Sequence, residues 1–161
     1  MCDKIQFDDE YFMREALRLA SLAEEIDEVP VGAVIVRDGE IIASAHNTRE
    51  STKCATHHAE ILAIEEACRK LGGWRLPGVT LYVTMEPCVM CAGAIVNARI
   101  PRVVYGTHDL RFGAFGSALD LVKIPLNHTP EVVGGVLEDK TRTILSEYFR
   151  RKRINPKHLK I

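Results

Sequence analysis

The chain has 161 residues, of which 47% are apolar, and its formal net charge at pH 7 is -1. This length and composition suit one compact domain, spanning residues 1–161, that can bury a core without disulfides. The start of the chain lacks the basic flank and apolar stretch of a secretory signal, and no apolar run approaches membrane-spanning length, so we expect a cytoplasmic protein that does not cross a membrane.

The first part of the chain predicts a helix, a hairpin and a second helix. Apolar residues at alternating four- and three-residue steps indicate an amphipathic helix, and Asp8 or Asp9 is available as its N-cap. The apolar residues are Phe12, Ala16, Leu19, Ala23 and Ile26. The β-branched runs 31–36 and 40–45 flank Asp38-Gly39, which predicts a β-hairpin. The next helix ends at Gly72-Gly73, and its apolar face is formed by Ile61, Ile64, Cys68 and Leu71.

The second part of the chain continues this alternation. Residues 79–84 and 102–107 have the composition of strands, and the helix between them begins at Pro87. Residues 108–130 are irregular, and a strand near 131–136 precedes a helix over about 137–153. Strands that alternate with helices of this length predict β-α-β units, and therefore an α/β fold with helices on the faces of a sheet.

Cys88 and Cys91 lie three residues apart in the stretch PCVMC. On a helix they share a face, and a helix N-terminus favours their thiolate forms, so the pair can bind one soft cation. The five cysteines are odd in number, which argues against a disulfide framework. The C-x-x-C pattern alone also fits a redox pair, a structural zinc site or two buried apolar side chains.

The stretch THHAE places His58 and Glu60 two residues apart. Residues at this spacing can serve one site only at a helix end, and Thr56 is available there as N-cap. Two helix N-termini that follow strands in successive β-α units lie side by side, so His58 is expected to converge with Cys88 and Cys91. Such a ligand set leaves the fourth position of Zn²⁺ open for water, as in catalytic sites. The two thiolates offset the charge of the ion, so a base such as Glu60 must help to deprotonate that water.

The combination of H-x-E with P-C-x-x-C is the pattern of zinc nucleobase deaminases. Beyond this pattern, the stretches VPVGAVIV, HAEILAI, TLYVTMEPCVMCAGAIV and RIPRVVYGTHD resemble those of bacterial tRNA-specific adenosine deaminases. The resemblance runs from about Asp9 through the C-terminal helix. It implies a three-layer α/β/α sandwich of the cytidine deaminase-like kind, with a mixed central sheet and helices on both faces. It also implies a homodimer that converts the wobble adenosine (position 34) of a tRNA anticodon loop to inosine.

The resemblance assigns the metal site and the proton carrier. His58, Cys88 and Cys91 match the ligands of one zinc ion per chain. Glu60 matches the residue that protonates N1 of adenine during attack by water at C6, and that later passes a proton to the departing ammonia. This role predicts a raised pKa for Glu60, or a proton shared with the water.

The resemblance also assigns residues that meet the substrate. Val29 and Asn47 match positions that line the base pocket. Asp109 lies in the loop that approaches the RNA, and Phe149 lies in the C-terminal helix that helps to hold the anticodon stem-loop. The basic segment 150–161 follows this helix, and we expect it to lie near the RNA backbone, although a solvated tail is the simpler interpretation.

The chain departs from the family pattern just before the ligand histidine, where Cys-Ala-Thr-His at 54–57 replaces the common Asp-Pro-Thr-Ala. A metal bond from Cys54 would fill the open position and abolish the reaction, so Cys54 is not assigned as a ligand. His57 is expected at the surface or beside the ligands. Cys2 and Cys68 are assigned no function, and Cys68 is expected in the core.

Two other functions fit the same motifs. A deaminase of a free nucleobase, nucleoside or nucleotide, of the cytidine, guanine or dCMP type, has the same zinc pattern. A zinc-stabilised binding module without activity would leave Glu60 without a purpose. Release of ammonia distinguishes an enzyme from a module, and comparison of a free nucleoside with an anticodon stem-loop distinguishes the two enzymes.

Overall fold

A computed structural model of the protein describes residues 8–155. The strands are β1 (Gly32–Arg37), β2 (Glu40–His46), β3 (Val79–Met85), β4 (Arg102–Thr107) and β5 (Glu131–Val133). They form one sheet in the order β2-β1-β3-β4-β5. Strand β1 is antiparallel to β2 and β3, whereas β3, β4 and β5 are parallel to one another. The predicted mixed sheet is therefore confirmed.

Helices cover both faces of this sheet. They are α1 (Asp9–Glu25), α2 (Arg49–Thr52), α3 (Ala59–Leu71), α4 (Val89–Asn97) and α5 (Glu138–Ile154), with a 3-10 turn at Leu121–Lys123. Successive strand residues point to opposite faces, so Ile35 packs among residues of α3 and α4, whereas Val34 packs with Phe12 of α1. Helix α5 lies on the same face of the sheet as α1. It approaches β4 so closely that a side chain on Gly106 would overlap Thr141 of α5. The three-layer α/β/α prediction is confirmed.

The hairpin turn and the start of α1 form as the sequence predicts. Asp38 and Gly39 have φ angles of 52° and 78°, the left-handed conformation that a two-residue hairpin turn requires. Asp8 is the N-cap of α1, and its side chain accepts a hydrogen bond from the Tyr11 amide at 2.9 Å. The apolar stripe is one residue shorter than predicted because α1 ends at Glu25, which leaves Ile26 half-exposed.

Asp9, the alternative N-cap, instead joins α1 to the sheet. Its two carboxylate oxygens each accept a hydrogen bond of 2.8 Å from the guanidinium of Arg102 in β4. Tyr82 in β3 donates a third bond to Asp9. The Arg102 bond lowers the pKa of Asp9 below its usual range, so this link is charged at neutral pH.

Two of the predicted helix starts are shifted by one or two residues. The N-cap of α3 is His58 rather than Thr56, and that of α4 is Cys88, so Pro87 precedes the helix instead of occupying its first turn. The buried face of α3 is also offset from the predicted stripe, and consists of Ala59, Glu60, Ala63, Ile64 and Ala67. Small residues occupy most of this face, which lets α3 lie close to the sheet.

Part of the basic C-terminal cluster is used inside the fold. Arg151 and Lys152 of α5 form ion pairs with Glu24 and Asp27 at the end of α1. These contacts pair the basic end of the chain with the acidic end of α1, so two of its charges are engaged within the protein. Residues 156–161, the last part of the predicted RNA-binding tail 150–161, and Cys2 lie outside the described residues. In the described part of the chain, no helix is long and apolar enough to cross a membrane.

Candidate active site

The side chains of His58, Cys88 and Cys91 meet between the N-termini of α3 and α4. His58 and Cys88 are the N-cap residues of these helices, and both have extended backbone conformations. The Nδ1 atom of His58 lies 3.7 Å from the Sγ atom of Cys88 and 3.5 Å from that of Cys91. The three ligand atoms lie within 4.8 Å of one another. The structure thus brings together the three predicted ligands.

The spacing of these atoms fits a tetrahedral zinc ion. Zinc binds sulfur at about 2.3 Å and nitrogen at about 2.0 Å, which at a tetrahedral angle separates the two ligand atoms by about 3.5 Å. The observed separations of 3.5 and 3.7 Å require little movement to reach this arrangement. Cys91 is buried, whereas His58 and Cys88 are partly exposed to the adjoining cavity.

Hydrogen bonds within the cluster polarise its ionisable groups. The side chains of Cys88 and Cys91 form a hydrogen bond. This bond lowers the pKa of Cys88 to about 4 and raises the pKa of Cys91. The bond between His58 and Cys88 also raises the pKa of His58. The arrangement favours a thiolate on Cys88, which is the form that binds a metal.

Glu60 lies in the first turn of α3 and is only 4% exposed. Burial raises the pKa of its carboxyl to about 7, because removal from water disfavours the charged form. His58 precedes the helix in extended backbone, so the two side chains reach one site although they are only two residues apart. Glu60 is therefore a buried acid–base group beside the three metal-ligand atoms.

A cavity of about 420 Å³ opens onto this cluster. Its lining includes the four residues that the family resemblance assigned to substrate binding, namely Val29, Asn47, Asp109 and Phe149, together with His58, Glu60 and Cys88. These residues come from six separate segments of the chain. The fold therefore gathers the predicted metal ligands, the proton carrier and the predicted substrate-binding residues around one opening.

Asn47 has a structural role as well as a place in the cavity wall. Its Oδ1 atom accepts a hydrogen bond of 2.9 Å from the amide of Ala59, the first residue of α3. Asn47 thus stabilises the free N-terminus of the helix that carries Glu60, which Thr56 was expected to do. The side-chain oxygen comes from a residue distant in sequence, so a local capping pattern gives no sign of it.

Cys54 and His57, in the unusual segment before His58, contact hydroxyl groups of neighbouring residues. The thiol of Cys54 lies 3.4 Å from the hydroxyl of Thr56, and that contact lowers the pKa of Cys54. The Nδ1 atom of His57 lies 2.8 Å from the hydroxyl of Thr52. Among the described residues, the metal-ligand group contains His58 and the C-x-x-C pair but not Cys54.

The cavity is also lined by residues that the sequence did not single out for the site, among them Arg49, Glu86, Val89 and Phe112. Arg49 is the first residue of α2, a four-residue helix that was not predicted. Phe112 lies in the irregular segment 108–130, and its ring is 67% exposed. An aromatic residue three positions after Asp109, which was expected to approach the RNA, is a signal that could have been used, because bases stack on aromatic side chains.

Comparisons with known proteins agree with this site. Residues 7–153 match the family model of MafB19-like deaminases. A tRNA-specific adenosine deaminase of Bacillus subtilis (strain 168) is 52% identical over 146 residues, which cover 90% of this chain and 91% of that protein. The chain belongs to the tRNA-specific adenosine deaminase family. Another relative of the same name, from Aquifex aeolicus (strain VF5), is 47% identical over 91% of this chain and 97% of its own length.

Solved structures extend the comparison to the fold of this deaminase family. A structure from a study of A-to-I editing by tRNA:A34 deaminases at the wobble position of transfer RNA superposes with a TM-score of 0.82 and 47% identity. The superposition covers 84% of this chain and 99% of the chain in that structure. A guanine deaminase from Nitrosomonas europaea superposes with a TM-score of 0.73 and 27% identity, over 86% and 83% of the two chains. The cytidine deaminase-like fold is confirmed.

Proposed function

We propose that this protein is a hydrolase that deaminates the wobble adenosine, position 34, of a tRNA anticodon loop to inosine and releases ammonia. The observation that carries the proposal is a buried carboxyl, Glu60, beside the ligand atoms of His58, Cys88 and Cys91 in the wall of one open cavity. The names of relatives that are 46% and 52% identical to the chain support adenosine in tRNA as the substrate. A tRNA substrate also supports a cytoplasmic location.

One zinc ion per chain fits the ligand atoms of His58, Cys88 and Cys91. Two thiolates and an imidazole are ligands that zinc favours, and three protein ligands leave one position of a tetrahedral ion open to water. A bound zinc ion would supply the Lewis acid that activates water for attack on C6 of adenine.

Glu60 moves the protons in this proposal. With a pKa of about 7, its carboxyl can both accept and donate a proton near neutral pH. It accepts the proton of the attacking water and delivers it to N1 of adenine. The carboxylate then removes the proton of the hydroxyl group that has been added to C6 and passes it to the amino group. As the C6–N bond breaks, ammonia leaves and the C6 carbonyl forms, so the carboxylate is restored for the next turnover.

In this proposal, the cavity wall recognises an adenine base that is flipped out of the stacked RNA strand. Val29 and Asn47 contact the flipped-out adenine, while Asp109 and Phe149 contact the neighbouring nucleotides of the anticodon loop. The side chain of Phe149 is 43% exposed and offers a ring face on which a base can stack. Such a site selects loops, because a base inside a duplex must first be unpaired and unstacked.

The proposal predicts a large difference between RNA substrates. An anticodon stem-loop with adenine at the wobble position should release ammonia and form inosine, whereas the same base inside a duplex should not react. Unstacking and unpairing cost a few kcal/mol, so we expect a difference of about 10²-fold or more. Mass analysis of the digested RNA measures the product, and a stem-loop with uridine at the wobble position is the matched control.

The same assay tests the second candidate. The structural similarity to a guanine deaminase favours a free base or nucleoside as the alternative substrate. Free adenosine, cytidine and guanine are therefore assayed beside the stem-loop. Equal turnover of one of these compounds and of the stem-loop would contradict the proposed RNA substrate.

We also propose that the protein is a homodimer that associates through the outer face of α3 and α4. When the protomer is alone, apolar or small residues on this face are at least partly exposed. These residues are Ile61, Leu62, Val89, Met90, Gly93 and Ala94. A second copy would remove this apolar surface from water. Light scattering is expected to give the mass of two chains, and a Leu62→Glu variant should shift the mass toward one chain. A single-chain mass for the wild-type protein would contradict the dimer.

A further inference from the structure

Glu86 is a buried carboxyl group that neither the metal site nor the proton transfer uses. It is 2% exposed and lies two residues before Cys88, at the junction between β3 and α4. Among the described residues, no lysine or arginine forms an ion pair with it, and the basic side chain within 4.0 Å of its carboxyl oxygens is that of His108, whose Nδ1 atom lies 3.8 Å away. A buried carboxyl group is unfavourable unless hydrogen bonds compensate it, so its partners indicate what it is for.

Within residues 8–155, the hydrogen bonds to the Glu86 side chain all come from one loop, residues 109–117. Its Oε2 atom accepts a bond of 3.0 Å from the amide of Asp109 and a short bond from the hydroxyl of Ser117. Its Oε1 atom accepts bonds of 3.1 Å from the amides of Phe115 and Ser117. One side chain therefore binds both ends of this loop.

The loop also lies directly against the segment that carries the metal ligand. The amide of Ala114 donates to the carbonyl of Pro87 at 2.9 Å, and Gly113 forms a β-bridge with Cys88. A Cβ atom on Gly113 would lie 2.4 Å from the Glu86 carboxyl carbon, so only glycine permits this approach. The position of the loop is thus defined relative to Cys88.

The part of the loop between these anchors faces the cavity. Asp109 and Phe112 both line the opening, and the Oδ1 atom of Asp109 accepts bonds from the amides of Arg111 and Phe112. The backbone of Asp109 is held by Glu86, and the side chain of Asp109 holds the turn that presents Phe112. A change at Glu86 therefore reaches the cavity rim through Asp109.

We propose that Glu86 is a positioning residue for substrate recognition: it fixes the 109–117 loop relative to the metal ligand Cys88, and so places Asp109 and Phe112 against the nucleotides that flank the target base. This inference rests on the proposed function, because it takes a nucleic acid loop as the occupant of the cavity. Glu86 itself lies in the cavity wall, but both of its carboxyl oxygens accept hydrogen bonds from the loop, so it acts on recognition through Asp109.

The variant Glu86→Gln tests this role with little change in size. If the new amide group takes the place of Oε2, it can donate to the Ser117 hydroxyl but cannot accept from the Asp109 amide, while the remaining oxygen keeps its two bonds. Hydrogen exchange of the Asp109 amide should become about tenfold faster, with the Phe115 and Ser117 amides still protected. This measurement does not require activity.

Kinetics with the wobble-adenine stem-loop separate positioning from catalysis. For E86Q, we expect about a tenfold lower kcat/KM that arises mainly from KM, with full zinc content. In a double-mutant cycle with Asp109→Ala, the effect of E86Q on KM should largely disappear, because both changes act on the same loop. Additive effects, a fall in kcat with unchanged KM, or loss of zinc from E86Q would each overturn the proposal.

A matched control is Glu28→Gln. Glu28 is also buried, and its two oxygens accept hydrogen bonds from the amides of Glu50 and Ser51 in a different segment. E28Q should therefore increase exchange at one of those amides and leave Asp109 protected. Faster exchange of Asp109 in E28Q would show that any buried carboxyl change loosens the loop, and would contradict a specific role for Glu86. If the wild-type protein fails to deaminate the stem-loop, the proposed function fails, whereas the exchange data still decide whether Glu86 anchors the loop.

Discussion

Replacement of Glu60 with glutamine is expected to lower the turnover of an anticodon stem-loop by about 10²- to 10⁴-fold, the usual contribution of a positioned acid–base group. The amide keeps the size of the side chain but cannot carry a proton between water, N1 and the amino group. Zinc content and RNA affinity should stay close to those of the wild-type protein, because Glu60 is not among the metal-ligand atoms. Single-turnover rates, zinc analysis and stem-loop binding measure these three quantities.

Glu65→Gln is the matched control for this experiment. Glu65 lies on the same helix, α3, but its side chain is exposed and outside the cavity. Its replacement should change the turnover by less than about twofold, since surface substitutions away from a site have small effects. Near-normal turnover in a folded, zinc-loaded Glu60→Gln protein would mean that another group moves the proton.

The regular part of the fold was predictable because its signals are local. The period of apolar residues distinguishes helices from strands, and Asp38-Gly39 and Gly72 mark backbone turns that favour glycine or aspartate. The motifs H-x-E and P-C-x-x-C were predictable as one site because each lies at a helix start. The α/β alternation then places two such starts side by side.

The cavity rim was not predictable for a physical reason. The segments 47–58 and 108–130 owe their shape to hydrogen bonds from residues distant in the chain. The side chain of Asn47, rather than that of Thr56, accepts a hydrogen bond from the first amide of α3. Glu28 binds the backbone of α2, and Glu86 binds the 109–117 loop. A glutamate in a sequence carries no sign of which distant amides it will bind, so propensity and periodicity predict these segments only as irregular.

The charge distribution along the sequence also does not show which charged residues will pair with one another in the fold. The acidic start and basic end of the chain suggested a polyanion partner for the basic end. In the structure, ion pairs from Arg151 and Lys152 to α1 account for part of this asymmetry. Partly exposed pairs of this kind contribute modestly to stability, but they reduce the positive charge that is available for RNA.

Loss of a metal ligand is the second change with a large expected effect. Cys88→Ala is expected to lose zinc and, with it, essentially all deaminase activity. The remaining histidine and cysteine leave two open positions, so the ion loses one of three protein bonds and its fixed geometry. Elemental analysis of the purified variant measures the metal directly, whatever the substrate is.

Cys54→Ser is the matched control, because it removes a thiol close to His58 in sequence that lies outside the metal-ligand group. This variant should retain zinc and activity. Thermal unfolding with and without a chelator adds a second readout: a ligand that binds only the folded protein raises the unfolding temperature, so chelation should destabilise the wild-type and Cys54→Ser proteins and leave Cys88→Ala unchanged. Full zinc in Cys88→Ala would contradict the assignment of Cys88 as a ligand, and loss of zinc from Cys54→Ser alone would transfer the ligand role to Cys54.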